Sequence, residues 1–552
     1  MIRRIPVPTV LTNGLAVASL LLSLAPGPRW PWLAVTWLAV AAGWWAGRPP
    51  RLGDGLPARV AVAAGVLIQW THAAPGTPWS LFAGGALLAG VLLAEQLVYR
   101  AARPVFRAAN LPPTGGRTLA PALGRLVDDG TAWLVNSGAV ALAGLFAALR
   151  WPAWTLLLPV VAAAGLTAAV MVDAFHRRRT GHAGELTRLR AAVAAHQPRF
   201  LLYFAAPPNS EYQVTMWLPY LQQIGAPFVV VLAEDYHLAS ISAATPAPVV
   251  VHRTTPALEA TIAPTMRAAF YVNFGMKNAH CVRFSQLTHV QLYHGYSDKP
   301  VSVNPIATIF DRIFVPGQAI IDQFAASGVE IPKERFRIVG RPQAASLAVA
   351  SRPIGEITEP VVLYAPTWAG EYADSNYCSL PIAERIISAL LARGVTVMVR
   401  PHPYTRRDPR SMAQLARVEQ LLARDRAATG RRHRWGPEVT RLSLTDCMNQ
   451  ADALICDVSS VGTQFVYTEK PLAVTDMVTD DTSFAGSLPL GRAAYLIRRD
   501  TANLAEVLED LLVRDPAAAR RRELRGYLLG DFPPDRYVDG FLTEARSVVT
   551  GG

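Results

Sequence analysis

The chain has 552 residues, too long for one ordinary domain. Its formal net charge of +12 invites a nucleic-acid reading, but no aromatic–basic RNA motif or recognition-helix pattern accompanies it. Much of the excess arginine instead lies in short connections between apolar stretches, where it would face anionic lipid headgroups.

Up to about Val172 the sequence is mostly Ala, Leu, Val, Trp and Gly; beyond Arg177 it alternates like a globular protein. Six apolar stretches stand out, at 9–25, 30–47, 58–74, 78–98, 131–149 and 151–172. Each is near the ~17–25 residues that a helix needs to cross the hydrocarbon core. Trp30, Trp32, Trp44, Trp45, Trp79, Trp133, Trp151 and Trp154 mostly sit near the ends of these stretches, where amphipathic rings favour the interface. Arginines alternate between connections. Arg3 and Arg4, then Arg48, Arg51 and Arg59, then Arg100, Arg103, Arg107, Arg117 and Arg125, then Arg177, Arg178 and Arg179 mark one side, against Arg29 and Arg150 on the other. The positive-inside rule then predicts both termini in the cytoplasm, in a multi-pass protein of the cell membrane. The last two stretches, parted only by Arg150 and its neighbours, read either as two crossings or as a re-entrant hairpin. A cleaved signal peptide does not account for five further stretches, and no small-residue cleavage site follows the first.

From about His196 strands and amphipathic helices alternate. Strands are predicted at 199–206, 227–234, 248–254, 268–274, 289–295 and 312–317. A proline-containing linker at 341–359 follows, and the pattern restarts at 360–368, 395–403, 451–459, 471–476 and 493–499. Two such βα units imply two parallel sheets, each covered on both faces, with a cleft between. The expected division is a membrane domain over 1–176 with about six transmembrane helices, a Rossmann-like acceptor-side domain over 196–345, and a Rossmann-like nucleotide-donor domain with a helical tail over 355–552. There is no GxGxxG and no Walker loop, which disfavours a dinucleotide oxidoreductase and a P-loop NTPase. Cys281, Cys378, Cys447 and Cys456 match no zinc or CxxC spacing and read as buried thiols in a reducing compartment.

The chemistry-bearing residues stand at strand ends, where open α/β sheets bind ligands. His294 precedes Gly295, which permits a sharp turn or close ligand approach. A neutral imidazole there suits proton removal from a hydroxyl, and a hydrogen-bonded histidine in a strand-end turn explains it equally. Lys299, five residues on, suits phosphate charge; it is one of four lysines, with Lys277, Lys333 and Lys470. His402 lies between Pro401 and Pro403, with Arg400 before them. Arg400 reads as a bidentate phosphate ligand or as a structural ion-pair partner, and strand alternation is compatible with its pointing away from His402. Asp457, Ser459 and Ser460 join a strand to a helix, where hydroxyls and free N–H groups bind phosphate and also serve as ordinary caps.

In order, YHGYSDK (293–299), YAPTW (364–368), RPHP (400–403) and ADALICDVSSVGTQFVYTEKP (451–471) resemble the CDP-glycerol glycerophosphotransferase family of teichoic acid polymerases and primases. The resemblance spans roughly 289–476. It implies a GT-B fold, and transfer of glycerol phosphate or a related polyol phosphate from a CDP-activated donor to a hydroxyl of a membrane-linked acceptor, releasing CMP in cell-wall polymer synthesis. It also implies catalytic roles for His294 and His402, and donor-phosphate binding by Ser459 and Ser460 with Asp457 in the same loop. Tyr296, Ala369 and Gln464 depart from the family's frequent Thr, Arg and acidic residue, and these positions surround the donor pocket. No metal cluster is recognisable; no cofactor is expected beyond Mg²⁺ brought loosely by a diphosphate donor. The competing readings are a GT-B glycosyltransferase using a nucleotide sugar and a non-enzymatic nucleotide-binding membrane scaffold or transporter.

Overall fold

The computed structural model describes residues 7–25, 29–45, 56–73, 79–102, 104–112, 131–180, 182–296, 303–370, 376–478 and 488–551. They form two compact units. The first holds Met1–Val105 and Pro113–Leu189, the second Phe106–Pro112 and Arg190–Gly552.

The first unit is helical. Helices cover Val7–Leu24, Arg29–Trp45, Leu56–Ala73, Trp79–Ala102, Thr131–Ala148 and Leu157–Thr180, so each predicted apolar stretch is a helix. One, Ala153–His176, is long and apolar enough to cross a membrane by length and composition; Val10–Leu24, Trp79–Ala94 and Leu134–Ala148 are shorter apolar helices. The expectation of about six transmembrane helices therefore meets one that passes this test, because most of the others lie at the short end of the spanning range. Trp32, Val62, Val66, Trp70, Leu88 and Ala143 fill the interior of the unit. Small residues permit close approach: a Cβ on Gly144 would lie 3.4 Å from Val66 and 3.5 Å from Trp32. Several polar groups are paired inside, while Trp32 Nε1, Trp70 Nε1 and Ser137 Oγ are buried without a partner. Ser19 Oγ lies 2.7 Å from Thr36 Oγ1, Asn136 Nδ2 donates to Thr167 Oγ1 (3.2 Å), and Gln69 Nε2 donates to the Ser23 carbonyl (3.2 Å). Large apolar side chains point outward, among them Leu21, Trp37, Phe82, Leu93, Val161 and Phe175.

The second unit contains two sheets. The first has the order β1-β4-β3-β2-β5-β6-β7-β8, with β1 (Phe106–Ala109), β2 (Phe200–Phe204), β3 (Phe228–Leu232), β4 (Val249–His252), β5 (Ala268–Tyr271), β6 (Thr288–Gln291), β7 (Arg312–Val315) and β8 (Phe336–Ile338). All neighbours are parallel except β1, which runs antiparallel to β4 with Phe106 opposite His252. The second sheet is wholly parallel, ordered β10-β9-β11-β12-β13, with β9 (Val361–Ala365), β10 (Thr396–Val399), β11 (Ala453–Asp457), β12 (Leu472–Asp476) and β13 (Tyr495–Arg498). Strands such as FVVVL and ALICD are buried along their whole length, as parallel strands covered on both faces require.

Two elements cross between regions that the sequence separates. Strand β1 comes from the arginine-rich connection between the fourth and fifth apolar helices. Asn110, at φ 58°, turns the chain out of it and donates to the Ser242, Thr245 and Ala247 carbonyls. The final helix, Asp539–Thr550, returns to the first sheet, where Phe541, Leu542, Ala545 and Val549 join its core and Arg546 donates to the Gln223 and Ile224 carbonyls. Two Rossmann-like halves with parallel sheets and a C-terminal helix closing back on the first half make a GT-B-like α/β fold.

Candidate active site

The His294 turn is built by its neighbours. Gln291, the last residue of β6, donates through Nε2 to the Asn273 carbonyl (2.9 Å) and accepts from the Tyr293 N–H (3.0 Å). Trp217 Nε1 donates to the Tyr293 carbonyl (2.6 Å), and Tyr293 takes φ 58°. The chain is thereby turned so that His294 Nδ1 lies 2.7 Å from the Val272 carbonyl. A carbonyl only accepts, so Nδ1 carries the hydrogen and Nε2 the lone pair. Burial pushes this imidazole below its ordinary value, the Val272 hydrogen bond opposes that, and the positive charge of Arg341 adds to the downward push. His294 is thus neutral near pH 7, the form that accepts a proton.

Directly against this turn stands the start of the helix Ser460–Phe465. A Cβ on Gly295 would lie 2.8 Å from Ser460 Oγ and 3.1 Å from Ser460 Cβ, so a side chain here would displace Ser460 across the cleft. Ser459 caps the helix in an extended conformation without a side-chain cap bond, and its Oγ is buried with no hydrogen-bond partner. Arg341 closes the junction. Its Nε donates to Gln464 Oε1 (3.2 Å) and its Nη2 to the His294 carbonyl (3.4 Å).

His402 is held differently. Its backbone N–H donates to the Pro366 carbonyl (3.1 Å), and Nδ1 accepts from the Tyr404 N–H (3.0 Å), leaving the hydrogen on Nε2 of the neutral ring. Trp368 lies nearly parallel to the ring at 6.3 Å. Tyr404 reaches across to the first half, its hydroxyl 2.5 Å from Ser210 Oγ, while Arg407 covers the Tyr404 ring at 3.5 Å and donates to the Pro208 carbonyl. Tyr212, two residues from Ser210, meets the His294 ring edge-on at 6.1 Å. The segment Ser210–Tyr212 therefore touches both histidine loops.

The remaining sequence candidates stand elsewhere or inside. Arg400 Nη1 donates to the Val439 (2.7 Å) and Leu442 (3.0 Å) carbonyls, with Cys447 Sγ at 3.5 Å, and so ties down the turn at 439–442. Asp457 is fully buried. Its carboxylate accepts from the Thr367 N–H (2.6 Å), the Ser379 N–H (3.1 Å) and the Thr475 hydroxyl (2.7 Å), anchoring the loop that carries Trp368. Burial pushes its carboxyl upward, and these donors oppose the shift. Lys299 lies outside the described residues. Arg341, Ser210 and Tyr404 are additions that sequence reading missed. Arg341 is in the stretch read as a linker, three residues past the short strand β8, where the sequence carried no signal for it. Among the described residues no group of three or more His, Cys, Asp or Glu side chains is arranged to hold a metal ion.

A GT-B-like pair of sheets sets a histidine–glycine turn from one half against the start of a short helix from the other, at strand ends where open α/β sheets bind ligands. Residues 345–481 match the family model described as CDP-Glycerol:Poly(glycerophosphate) glycerophosphotransferase, so this segment carries the signature of that family. No curated protein matches the chain. Similar solved structures include a protein described as a UDP-N-acetylglucosamine 2-epimerase from Listeria monocytogenes (12% identity, 64% of this chain and 97% of that one, TM-score 0.43). Others are the wall teichoic acid polymerase TagF (12%, 66% and 93%, 0.41) and Anabaena HepE in complex with UDP and glucose (13%, 63% and 100%, 0.41). At these identities and scores they carry no argument about chemistry. The family match points to a transferase of the CDP-glycerol glycerophosphotransferase type.

Proposed function

We propose that this chain is a membrane-anchored transferase that moves glycerol phosphate, or a related polyol phosphate, from a CDP-activated donor to a hydroxyl of a lipid-linked acceptor. The observation that carries this reading is the contact of the His294–Gly295 turn with Ser460, together with the family match of the half that bears Ser460. The acceptor oxygen attacks the polyol-bearing phosphorus as its proton passes to His294 Nε2. The bond from that phosphorus to the CMP oxygen breaks, and CMP leaves with the electron pair. His402, with a hydrogen on Nε2, neutralises charge on the transferring phosphoryl group or on the leaving CMP. Ser459 and Ser460 hold the donor diphosphate, with Lys299 as a further source of positive charge. Asp457 acts on this site through the loop it anchors, and Arg400 through the turn it ties.

Anchoring in the cell membrane is supported by a helical unit with several polar groups paired inside and large apolar side chains outside, an arrangement that suits lipid as solvent. The arginine pattern of the connections assigns their side to the cytoplasm. The test is a panel of CDP-polyols and nucleotide sugars incubated with purified protein and a lipid extract. CMP released from CDP-glycerol or a related CDP-polyol is the expected product. Release of a nucleoside diphosphate from a nucleotide sugar establishes a glycosyltransferase instead.

A further inference from the structure

One buried ring ties both ends of the loop that reaches the two histidine loops. His237, just after β3 and fully buried, has Nδ1 2.8 Å from Glu211 Oε1 and Nε2 3.0 Å from the Ala206 carbonyl. An ionised carboxylate and a carbonyl only accept, so both ring nitrogens donate and Glu211 is the counterion of the ring. Phe204, at 4.9 Å, and Tyr236, at 4.4 Å, flank the imidazole and fix its plane. The neighbouring carboxylates are already paired, Glu234 with Lys277 and Asp235 with Arg253, each at 2.7 Å.

Ala206 and Glu211 are the two ends of one loop after β2. The Ala206 carbonyl also accepts from the Tyr236 hydroxyl (2.6 Å), and its N–H donates to Glu234 Oε2 (3.3 Å). Between the two ends the Pro208 carbonyl accepts from Arg407, and the Ser210 hydroxyl meets that of Tyr404. Past Glu211, Tyr212 meets the His294 ring edge-on, and Gln213 accepts from Asn273 Nδ2 (3.0 Å). Consecutive side chains from Ser210 to Gln213 thus reach the His402 loop, His237, His294 and the turn after β5 in succession. His294 is fixed at Nδ1 by the Val272 carbonyl, and Tyr212 is a wall that sets the rotation of the ring about that bond.

We propose that His237 is a positioning residue for proton transfer at His294, clamping Ala206 to Glu211 so that Tyr212 stands against the imidazole and Ser210 meets Tyr404. The role rests on the CDP-linked donor reading above and adds to it the residue that holds this loop in its working form. His237 lies inside the first half and acts through the loop alone.

The experiment is single-turnover CMP release from saturating CDP-glycerol by the full-length protein in detergent with a lipid extract, with CDP affinity measured beside it. Misplacing a reacting group by about 1 Å costs up to about 10²-fold, so Glu211→Ala and His237→Leu each slow release about 10- to 100-fold and leave CDP affinity within about threefold. Glu211 is partly exposed, so its variant reports even where the buried ring cannot be replaced. His237→Asn and His237→Gln keep a donor at the Nδ1 and Nε2 positions respectively, and each recovers only part of the lost rate. The double variant Glu211→Ala with His237→Leu is no slower than the slower single one, because both cut the same clamp. Release at the wild-type rate by folded Glu211→Ala, or a rate that falls only in step with CDP affinity, overturns the clamp while leaving the donor reading intact. Wild type that releases no CMP from CDP-glycerol or a related CDP-polyol overturns both.

Discussion

Gly295 and Ser460 meet so closely that a Cβ on the glycine would lie 2.8 Å from the serine hydroxyl, and one of the two would have to give way. They belong to different halves of the fold, so their contact reports closure of the cleft. Gly295→Ala overpacks the junction, at a cost of about 1–3 kcal/mol. The expected outcome is a rise of about tenfold in the donor KM. Ser460→Gly in the same chain removes the clash, so a double-mutant cycle on thermal stability gives a favourable coupling of the two substitutions. Additive effects would contradict contact in solution.

The charge of Arg341 reaches the base. It lowers the His294 pKa, as burial does, so the imidazole is neutral above a value that lies below the ordinary 6.5. Removing the guanidinium charge lets that pKa rise. The acid limb of the kcat/KM profile, where the base becomes protonated and activity is lost, therefore moves to higher pH in Arg341→Gln. A limb that stays fixed would uncouple the two residues.

Tyr404 links the His402 loop to the first half through the Ser210 hydroxyl. Because Ser210 is buried, Tyr404→Phe leaves a polar group without its partner and costs about 1–3 kcal/mol. In a cycle with Ser210→Ala the second loss is smaller than the first, and interdomain distances measured by spin labels broaden in Tyr404→Phe. Unchanged distances and additive losses would remove the latch.

Asp457→Asn tests the buried anchor. An amide keeps an oxygen for the Thr367 and Ser379 N–H groups and can turn its own N–H to the Thr475 hydroxyl, but it lacks the carboxylate charge that all three share. A lost charged acceptor of this kind costs about 1.5–3 kcal/mol, so the thermal midpoint falls by several degrees and Trp368 fluorescence shifts as its loop loosens. An unchanged midpoint with reduced CDP affinity would make Asp457 a direct ligand.

Much of this was legible because burial on both faces of a parallel sheet leaves continuous apolar runs, and the strands fall at these runs. The short β1 was not: four residues of an arginine-rich connection carry no periodicity, and its pairing with β4 is a tertiary event. Alternation also cannot say which sheet a terminal helix covers, so the return of Phe541 to the first core was invisible. At the site, residue type and strand-end position singled out the His294–Gly295 turn and Ser460, and their roles came only from the family resemblance. Arg341 was not, since its partners lie 47 and 123 residues away. For Arg400 and Asp457 the sequence left both a ligand and a structural role open, and only three-dimensional partners show what their polar atoms touch.

The most direct test is single-turnover CMP release from CDP-glycerol by the full-length protein, beside His294→Ala, with donor binding measured in both. General-base removal typically costs 10²–10⁴-fold in rate, so the variant should release CMP about that much more slowly while binding donor nearly as well. Release of CDP rather than CMP, or a variant that keeps more than about a tenth of wild-type turnover, would contradict the account.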